Sequence, residues 1–365
     1  MRKLGISVFP QHAPLEDSLN YIETAAKYGF SRIFTCLISA NDEANDEAEF
    51  AKLETICQTA NKLGYEVIAD VDPGVFASLN LTYQDLGRFK ELGLSGLRLD
   101  LGFSGSEEAA MSFDDNDLQI ELNISNGTKY VDNILSYQAN VANIIGCHNF
   151  YPRRYTALSR EHFLRTSAQF KKYNLRTAAF VSSNAGKFGP WFVVDGGLPT
   201  LEEHRGMPIT VQAKDLWNTG LIDDVIIGNM YASEEELKAL GELNRNELEL
   251  AVTFLDGATD VEKEIVTTQK HFNRGDASEY VLRSTMTRVH FKQHDFPAHD
   301  TDTIELGDVT IDNNGYERYK GEMQVALQEM ENSGNTNIVA RIIPEERYLL
   351  KTIQPWQHFR LKEHK

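Results

Sequence analysis

Three short stretches in the first third of the chain carry charged or amide side chains at every second position. The stretches are residues 66–73, 96–102 and 118–125, and their polar residues are Asp70, Asp72, Arg98, Asp100, Glu121 and Asn123. Because successive side chains of a β-strand point to opposite faces, each stretch has one apolar face and one polar face. If helices cover the apolar faces, the polar faces meet where water and a substrate can reach them.

Carboxylates at such a place have a known use in sugar chemistry. Two carboxylates in one concave site shift each other's protonation, so that one stays neutral as an acid while the other stays charged. Glycoside hydrolysis requires such a pair. We therefore predict catalytic roles for Asp100 and for either Glu121 or Asp72, and substrate-binding roles for the neighbouring Asp70 and Arg98. The alternative is structural, with Arg98 in an internal ion pair that fills the fold.

A second polar group follows the sixth predicted strand, and a third lies on a long connection further along the chain. The predicted substrate-binding residues there are His148, Asn149, Tyr151, Arg153, Lys187, Glu202 and Arg205. Aromatic faces suit a sugar ring, and arginine binds phosphate or carboxylate with two donors. The alternative is a polar loop packed beneath the connection, with solvated surface side chains.

Specific contacts follow from these residue types. We expect Asn123 and Asn149 to orient an N-acetyl group or ring hydroxyls. We expect Arg153, with Lys187 or Arg205, to hold a phosphate group.

Metal and cofactor chemistry receive little support from the sequence. His290, His294 and His299 resemble a string of metal ligands, but their spacing fits no standard zinc signature. The first predicted strand lacks the His-x-His pair of barrel metallohydrolases, and no lysine occupies an inward strand position for a Schiff-base aldolase. We expect no metal and no cofactor. A sugar-phosphate isomerase or aldolase and a non-catalytic phosphosugar-binding protein remain the alternative functions.

Strand-like and helix-like segments alternate up to about residue 245, and they must position these side chains. The predicted strands are residues 4–9, 32–38, 66–72, 96–102, 118–125, 144–151, 176–183 and 223–229. Predicted helices lie between them, at residues 14–28, 46–63, 82–92, 130–142 and 159–173, with a last helix after a capping box of Ser233 and Glu236. Eight such units without a glycine-rich phosphate motif favour a (β/α)8 TIM-type barrel, whose sites lie at the carboxyl ends of its strands.

Two further segments complete the predicted organisation. Residues 184–216 are rich in Gly, Pro and aromatic residues, which indicates an ordered functional loop over the mouth of the barrel. Short alternating stretches follow residue 248, so we predict a barrel domain at 1–245 and a small, mostly β domain at 246–365. The second domain is compatible with covering the site, forming a homodimer or stabilising the barrel.

Composition limits the classes of partner. The formal net charge of −18 argues against nucleic-acid binding, which needs a positive surface. No stretch approaches the roughly 20 apolar residues that cross a membrane, and the first residues lack the apolar core of a signal peptide. Three widely spaced cysteines without a Cys-x-x-Cys pair indicate reduced thiols. We expect a cytoplasmic protein with no membrane partner.

Several runs resemble one known family over most of the chain. They are GISVFP, SRIFTCLIS, LGLSGLRLDLGF, IELNISN, CHNFYPRRYTALS, GPWF, GLPTLEEHR, IDDVIIGNMYAS and GDVTIDNNGYERYKGEMQVAL. They are similar to the MupG-type 6-phospho-N-acetylmuramidases of Gram-positive bacteria. The resemblance implies a (β/α)8 barrel followed by a small, mostly β, cyclophilin-like C-terminal domain. It also implies a glycosidase that hydrolyses the β-1,4 bond of N-acetylmuramic acid 6-phosphate–N-acetylglucosamine in cell-wall recycling. The implied partner is therefore a phosphorylated amino-sugar disaccharide, and no catalytic residue is carried over from the family.

Overall fold

The chain forms two compact units, Met1–Leu243 and Asn244–Lys365. The computed structural model describes residues 2–37, 46–79, 81–190 and 196–364. Two features expected from the sequence fall partly outside this range: the end of the second strand at Ile38, and residues 191–195 of the connection 184–216. Each unit has its own β-sheet.

The first unit is a closed barrel of eight strands. They are β1 Leu4–Ser7, β2 Phe30–Cys36, β3 Glu66–Val71, β4 Gly96–Leu99, β5 Gln119–Asn123, β6 Ile144–Cys147, β7 Arg176–Val181 and β8 Asp224–Ile227. Each strand is parallel to the next, and β8 closes the barrel by pairing with β1, where Ile227 lies opposite Ile6. The predicted (β/α)8 barrel is confirmed, and its strand ends share one mouth.

Helices connect the strands. They are α1 Leu15–Lys27, α2 Asp46–Lys62, α3 Pro73–Ser78, α4 Gly87–Glu91, α5 Ser106–Met111, α6 Tyr130–Ser136, α7 Arg160–Lys171, α8 Ile209–Asn218 and α9 Glu234–Gly241. In α1, Tyr21, Ile22 and Ala25 are buried at the three- and four-residue spacing of one helix face. The capping box before α9 is confirmed, because Ser233 accepts a hydrogen bond from the backbone N–H of Glu236 at 3.2 Å.

The connection between β7 and β8 differs from the loop predicted throughout residues 184–216. Its last part is helix α8, in which Ile209, Ala213 and Leu216 are buried. These residues are four and three positions apart, so they lie on one helix face that packs into the core. The prediction of a continuous loop was therefore wrong for this part.

The helix predicted at residues 82–92 is also shorter than expected. Thr82 forms an isolated bridge with Asp85, and the helix that follows is confined to α4. The side chain of Thr82 accepts a hydrogen bond from Gln84 in a local turn. A threonine that closes a turn in this way competes with the helix that it was predicted to begin.

The second unit contains a seven-stranded, mostly antiparallel, barrel-like sheet. Its strands are β9 Leu248–Phe254, β10 His271–Phe272, β11 Val281–Ser284, β12 Asp308–Asp312, β13 Met323–Ala326, β14 Thr336–Ile342 and β15 His358–Glu363. They are ordered β10-β15-β9-β14-β12-β13-β11, with β9 and β15 parallel. Three helices accompany them: α10 Asp260–Thr268, α11 Thr287–His290 and α12 Arg347–Leu350. The small, mostly β part of the prediction is confirmed, whereas the cyclophilin-like comparison stays a prediction.

Candidate active site

The guanidinium group of Arg98, on β4, lies at the centre of the polar residues in the barrel mouth. Its Nε lies 3.6 Å from Oδ1 of Asp70, and its Nη2 lies 3.7 Å from Oδ1 of Asp100. The same group donates hydrogen bonds to the side-chain oxygen of Asn149 and, at 3.3 Å, to the carbonyl oxygen of Cys147. One buried cation therefore connects residues that follow three different strands.

Asp70, on β3, is the deeper of the two carboxyl groups beside Arg98. Its side chain is 13% exposed. Burial raises the pKa of Asp70 to about 7; Arg98 opposes this effect, and the negative charges of Asp100 and Glu121 add to it. A neutral, protonated Asp70 is therefore well populated near pH 7 and can donate a proton.

Asp100 follows β4 and is more accessible, with 39% of its side chain exposed. Its Oδ1 accepts a hydrogen bond from the amide nitrogen of Asn123 at 3.3 Å. The amide oxygen of Asn123 in turn accepts a hydrogen bond from the backbone N–H of Ser125 at 2.8 Å, which fixes the amide orientation. Asp100 is thus held at the barrel mouth with an oriented donor on one side and Arg98 on the other.

The other two predicted carboxylates have structural partners. Asp72 is the N-cap of α3, and its Oδ1 accepts a hydrogen bond from the backbone N–H of Val75 at 2.9 Å. Glu121 is fully buried and forms an ion pair with Arg32 on β2. Arg32 also donates to Oδ2 of Asp224 at 2.7 Å.

The ion pair of Glu121 belongs to a charged network inside the barrel. Asp224 pairs with Arg176 as well as with Arg32, and Arg176 continues to Oε2 of Glu66 at 2.7 Å. Arg32, Glu121 and Asp224 are all buried. Removing one member of such a group leaves an uncompensated charge in the interior, so the network constrains the barrel strands.

The residues after β6 differ in burial and in the partners that they contact. His148 is fully buried, where it hydrogen-bonds Ser125 at 3.2 Å and Ser167 of α7 at 2.8 Å. Burial lowers the pKa of His148 to about 3, so the ring is neutral. Asn149 contacts Arg98, whereas Tyr151 is half-buried and burial raises its pKa. His148 therefore supports the site from below, and Asn149 is the side chain that contacts its central cation.

Arg205 holds together the segments around the outer part of the mouth. It donates to both carboxylate oxygens of Glu202, at 2.8 and 2.9 Å, and to the carbonyl oxygens of Gly197 at 3.0 Å and Tyr151 at 3.1 Å. The hydrogen bonds from Arg205 hold the pKa of Glu202 at about 2. Arg205 and Glu202 thus fix loop geometry, a role that the residue types alone did not distinguish from ligand binding.

A cavity of 620 Å³ opens between these segments. Its lining residues are Arg154, Tyr155, Ser183, Asn184, Gly186, Lys187, Gly196, Gly197, Glu202, Arg205 and Gly206. Three cationic side chains and one carboxylate give it a positive lining in a chain of net charge −18. Of the predicted phosphate ligands, Lys187 and Arg205 are here, while the exposed Arg153 is not among the lining residues.

Arg154 was not among the predicted residues, although it is adjacent to Arg153. Tyr155, Ser183 and Asn184 were missed as well. The sequence signal that was available is the pair of adjacent arginines, Arg153 and Arg154, in a segment rich in polar and aromatic residues.

The residues that the structure describes form neither a metal-binding cluster nor a membrane-spanning helix. Within residues 2–37, 46–79, 81–190 and 196–364, no group of three His, Cys, Asp or Glu side chains is arranged to hold a metal ion. Of the three histidines considered as metal ligands from the sequence, His299 contacts Glu262 at 2.9 Å and Asp300 at 2.9 Å. None of the helices described above has the length and apolar character needed to cross a membrane.

Comparisons with known proteins agree with the fold of both units. A crystal structure of an uncharacterized B. cereus protein matches with 49% identity, a TM-score of 0.91 and 99% coverage of both chains. A conserved Enterococcus faecalis protein with an unknown function matches with 28% identity and a TM-score of 0.71, over 99% of this chain and 96% of that one. No curated protein sequence matches.

Family models account for nearly the whole chain. The model for the N-terminal part of 6-phospho-N-acetylmuramidase matches residues 4–242, and the model for its C-terminal part matches residues 248–362. The two matched regions coincide with the barrel and with the second sheet. The chain therefore belongs to the 6-phospho-N-acetylmuramidase (MupG) family.

Proposed function

We propose that this protein hydrolyses the β-1,4 bond of N-acetylmuramic acid 6-phosphate–N-acetylglucosamine, at the mouth of the barrel, in peptidoglycan recycling. Family membership supports a glycosidase of this kind. The observation that carries the proposal is the placement of Asp70 and Asp100 on either side of Arg98, 3.6 and 3.7 Å from its nitrogen atoms.

In this proposal Asp70 is the general acid. Hydrolysis needs a group that is protonated near neutral pH and can transfer its proton to the glycosidic oxygen as the bond breaks. The pKa of Asp70, raised by burial to about 7, meets that requirement. Asp70, expected from the sequence to bind substrate, thereby takes the place beside Asp100 in the carboxylate pair for which the sequence favoured Glu121 or Asp72.

Asp100 is the second carboxylate of the pair. Its exposed position and its hydrogen bond from Asn123 suit a group that faces the developing positive charge at the sugar's anomeric carbon. In a retaining reaction Asp100 attacks that carbon directly, and in an inverting one it activates a water molecule. Asn123 and Asn149 are positioned to orient the ring substituents.

The cavity lined by Arg154 and Lys187 is the proposed site for the 6-phosphate. Phosphate is bound in proteins by arginine and lysine side chains and by backbone N–H groups of glycine-rich segments. Gly196, Gly197 and Gly206 supply such a backbone along the same cavity. Arg205 contributes by fixing these loops rather than by direct contact with the phosphate.

One assay tests the reaction and its carboxylates together. Purified protein is incubated with the phosphorylated disaccharide, and release of N-acetylmuramic acid 6-phosphate and N-acetylglucosamine is followed by mass spectrometry. Asp100→Asn should reduce turnover by about 10²- to 10⁴-fold, because it removes the charged partner of the acid. Asp115→Asn, at an exposed turn before β5, is the matched control and should turn over like the unchanged protein.

Each alternative gives a different outcome in that assay. An isomerase or aldolase leaves the glycosidic bond intact and changes the sugar mass or ring form instead. A binding protein gives saturable binding without products. Wild-type rates in Asp100→Asn would remove Asp100 from the mechanism even if the disaccharide is cleaved.

A further inference from the structure

A second cavity, of 390 Å³, lies in the second unit, on one face of its sheet. Small-molecule sites generally occupy roughly 300–1,000 Å³. The lining residues are Arg283, Ile304, Asp312, Tyr316, Tyr319, Glu322, Gln324, Met330, Glu331, Asn332, Ser333 and Thr336. Nothing in the proposed hydrolysis uses this cavity.

The floor of the cavity is built from neighbouring strands. Arg283 of β11 lies opposite Gln324 of β13 in the sheet, and Asp312 of β12 lies opposite Thr336 of β14. Oδ1 of Asp312 accepts a hydrogen bond from the Thr336 hydroxyl at 2.9 Å, and its Oδ2 accepts one from Gln324 at 3.4 Å. Polar groups held on strands keep a more exact geometry than groups on loops.

Buried charges beside this floor are compensated within the cavity wall. Glu322 is fully buried, and its carboxylate lies 2.7 Å from Arg283 and 2.9 Å from Arg288. Asp312 is 4% exposed, and burial raises its pKa to about 7. Arg283 and Arg288 are 25% and 26% exposed, so only the carboxylate of these ion pairs is fully buried. The cavity therefore has charged and polar groups within reach of a ligand.

Two tyrosines form the open side of the cavity. Tyr316 and Tyr319 are 39% and 43% exposed, and the guanidinium of Arg288 lies over the Tyr319 ring, 5.0 Å from its centre. The Tyr316 hydroxyl lies 3.1 Å from Ser333. The arginine and the hydroxyl contact hold both aromatic rings beside the polar floor, and Arg288 covers one face of the Tyr319 ring.

We propose that this cavity binds a neutral saccharide. Carboxylate and amide side chains at the floor can accept and donate hydrogen bonds to adjacent hydroxyl groups, and the tyrosine rings offer apolar faces to a sugar ring. The positive charge of Arg283 is already matched by Glu322, so the lining has no surplus cation for a phosphate. Asp312 and Gln324 lie on β12 and β13, which are interior strands of the sheet, so neither of these strands offers a free edge for a peptide to extend.

Methyl NMR on the full-length protein tests this proposal locally. Met330 and Ile304 line the cavity, so their ¹³C-methyl resonances report on its occupancy. Titration with N,N′-diacetylchitobiose and with maltose should shift these resonances saturably for at least one of the two sugars. Tyr319→Ala should weaken the binding at least about tenfold, corresponding to roughly 1.4 kcal/mol. Gln324→Ala serves the same purpose if Tyr319→Ala does not fold.

Two control variants separate this cavity from the barrel site. Tyr280→Ala removes an exposed tyrosine of the same unit that does not line the cavity, and binding should be unchanged. Asp100→Asn, in the barrel, should also leave the Met330 and Ile304 shifts unchanged. The proposal is overturned if neither sugar moves these resonances, if Tyr319→Ala binds normally, or if a proline-rich peptide moves them and the sugars do not.

Discussion

The two candidate catalytic carboxyl groups, Asp70 and Asp100, share Arg98 as a neighbour but differ in burial. Arg98 lies at similar distances from Asp70 and Asp100, yet Asp70 is mostly enclosed while Asp100 faces solvent. Burial raises the pKa of Asp70 in spite of the nearby cation. In the proposed mechanism, two identical side chains take different roles because the barrel buries them to different depths.

The pH dependence of hydrolysis follows from the pKa of Asp70. The protonated form is present below about pH 7 and is lost as the pH rises through that value, so kcat/KM should fall on the alkaline side. The measurement is kcat/KM from pH 5 to 9, with Asp70→Asn as the comparison. Asp70→Asn should have low activity and should lack the alkaline fall. A rate that continues to rise to pH 9 would contradict an acid role for Asp70.

Replacing Glu121 tests whether this residue is catalytic or structural. Since it is fully buried against Arg32, Glu121→Gln should lower the free energy of unfolding by about 3 kcal/mol. Activity per folded molecule should remain close to that of the unchanged protein. Urea denaturation and kcat/KM at low temperature measure the two effects. Glu91→Gln, which alters an exposed pair with Arg88, should change stability by less than about 1 kcal/mol.

A loss of activity without a loss of stability in Glu121→Gln would return Glu121 to the catalytic pair.

The sequence predicted the polar faces of β3, β4 and β5 correctly, because alternation within a strand is a local property. It did not identify Arg32 as the partner of Glu121, because that contact joins β2 to β5 across the barrel interior. Such a pairing depends on closure of the barrel, which local alternation does not encode.

At the scale of elements, the connections after β6 and β7 form one structure around Arg205. Gly196 and Gly197 adopt positive φ angles of 78° and 85°, which a glycine adopts without strain. The side chain of Arg205 donates to the carbonyl oxygens of both. The cationic cavity thus depends on glycine geometry and on an arginine that helps to connect the two loops.

Replacing Lys187 tests whether the cavity that it lines holds the phosphate. Lys187→Ala should raise KM for the phosphorylated disaccharide about tenfold with little change in kcat, because it removes a charge-assisted contact that is equal in the ground and transition states. Lys238→Ala, an exposed lysine of α9, is the control. Kinetics with the disaccharide lacking the phosphate provide the comparison. An equal loss for both disaccharides would mean that Lys187 does not recognise the phosphate.

The elements were predictable where their signals were local. The helix ends at Gly29 and Gly64 have positive φ angles of 78° and 82°, as glycines that follow a helix commonly do. Helix α8 was missed because the glycine- and proline-rich segment before it dominated the pattern, although Ile209, Ala213 and Leu216 carry the helical spacing.

At the scale of the whole molecule, each unit has a buried histidine whose pKa is lowered: His148 in the barrel and His271 in the second unit. Burial lowers the pKa of His148 to about 3 and that of His271 to about 4. In the unfolded chain these groups titrate near pH 6.5, so their contribution to stability is complete above that pH and decreases as the pH falls. Acidification therefore weakens both the barrel and the second sheet.

Replacing His148 measures how much of the pH dependence of stability comes from this residue. At pH 5 the protonation of His148 in the unfolded state should cost about 2 kcal/mol of stability relative to pH 7.5. His148→Gln should remove this part of the pH dependence, as measured by urea denaturation followed by fluorescence of the buried Trp217. His358→Gln, at an exposed position, should leave the pH dependence as it is. Equal slopes for His148→Gln and the unchanged protein would contradict the assignment.

Arg32 and Arg98 each form ion pairs inside the barrel, and the partners of these two arginines differ in exposure. This difference has a consequence for protein engineering. Arg32 has all its carboxylate partners in the interior, whereas Arg98 has one partner at the open mouth. Selection for new sugars can therefore diversify the residues above Arg98 while the Arg32 layer keeps the barrel intact. A library confined to the rim should give mostly well-expressed variants, and one that includes Arg32 should be dominated by insoluble protein.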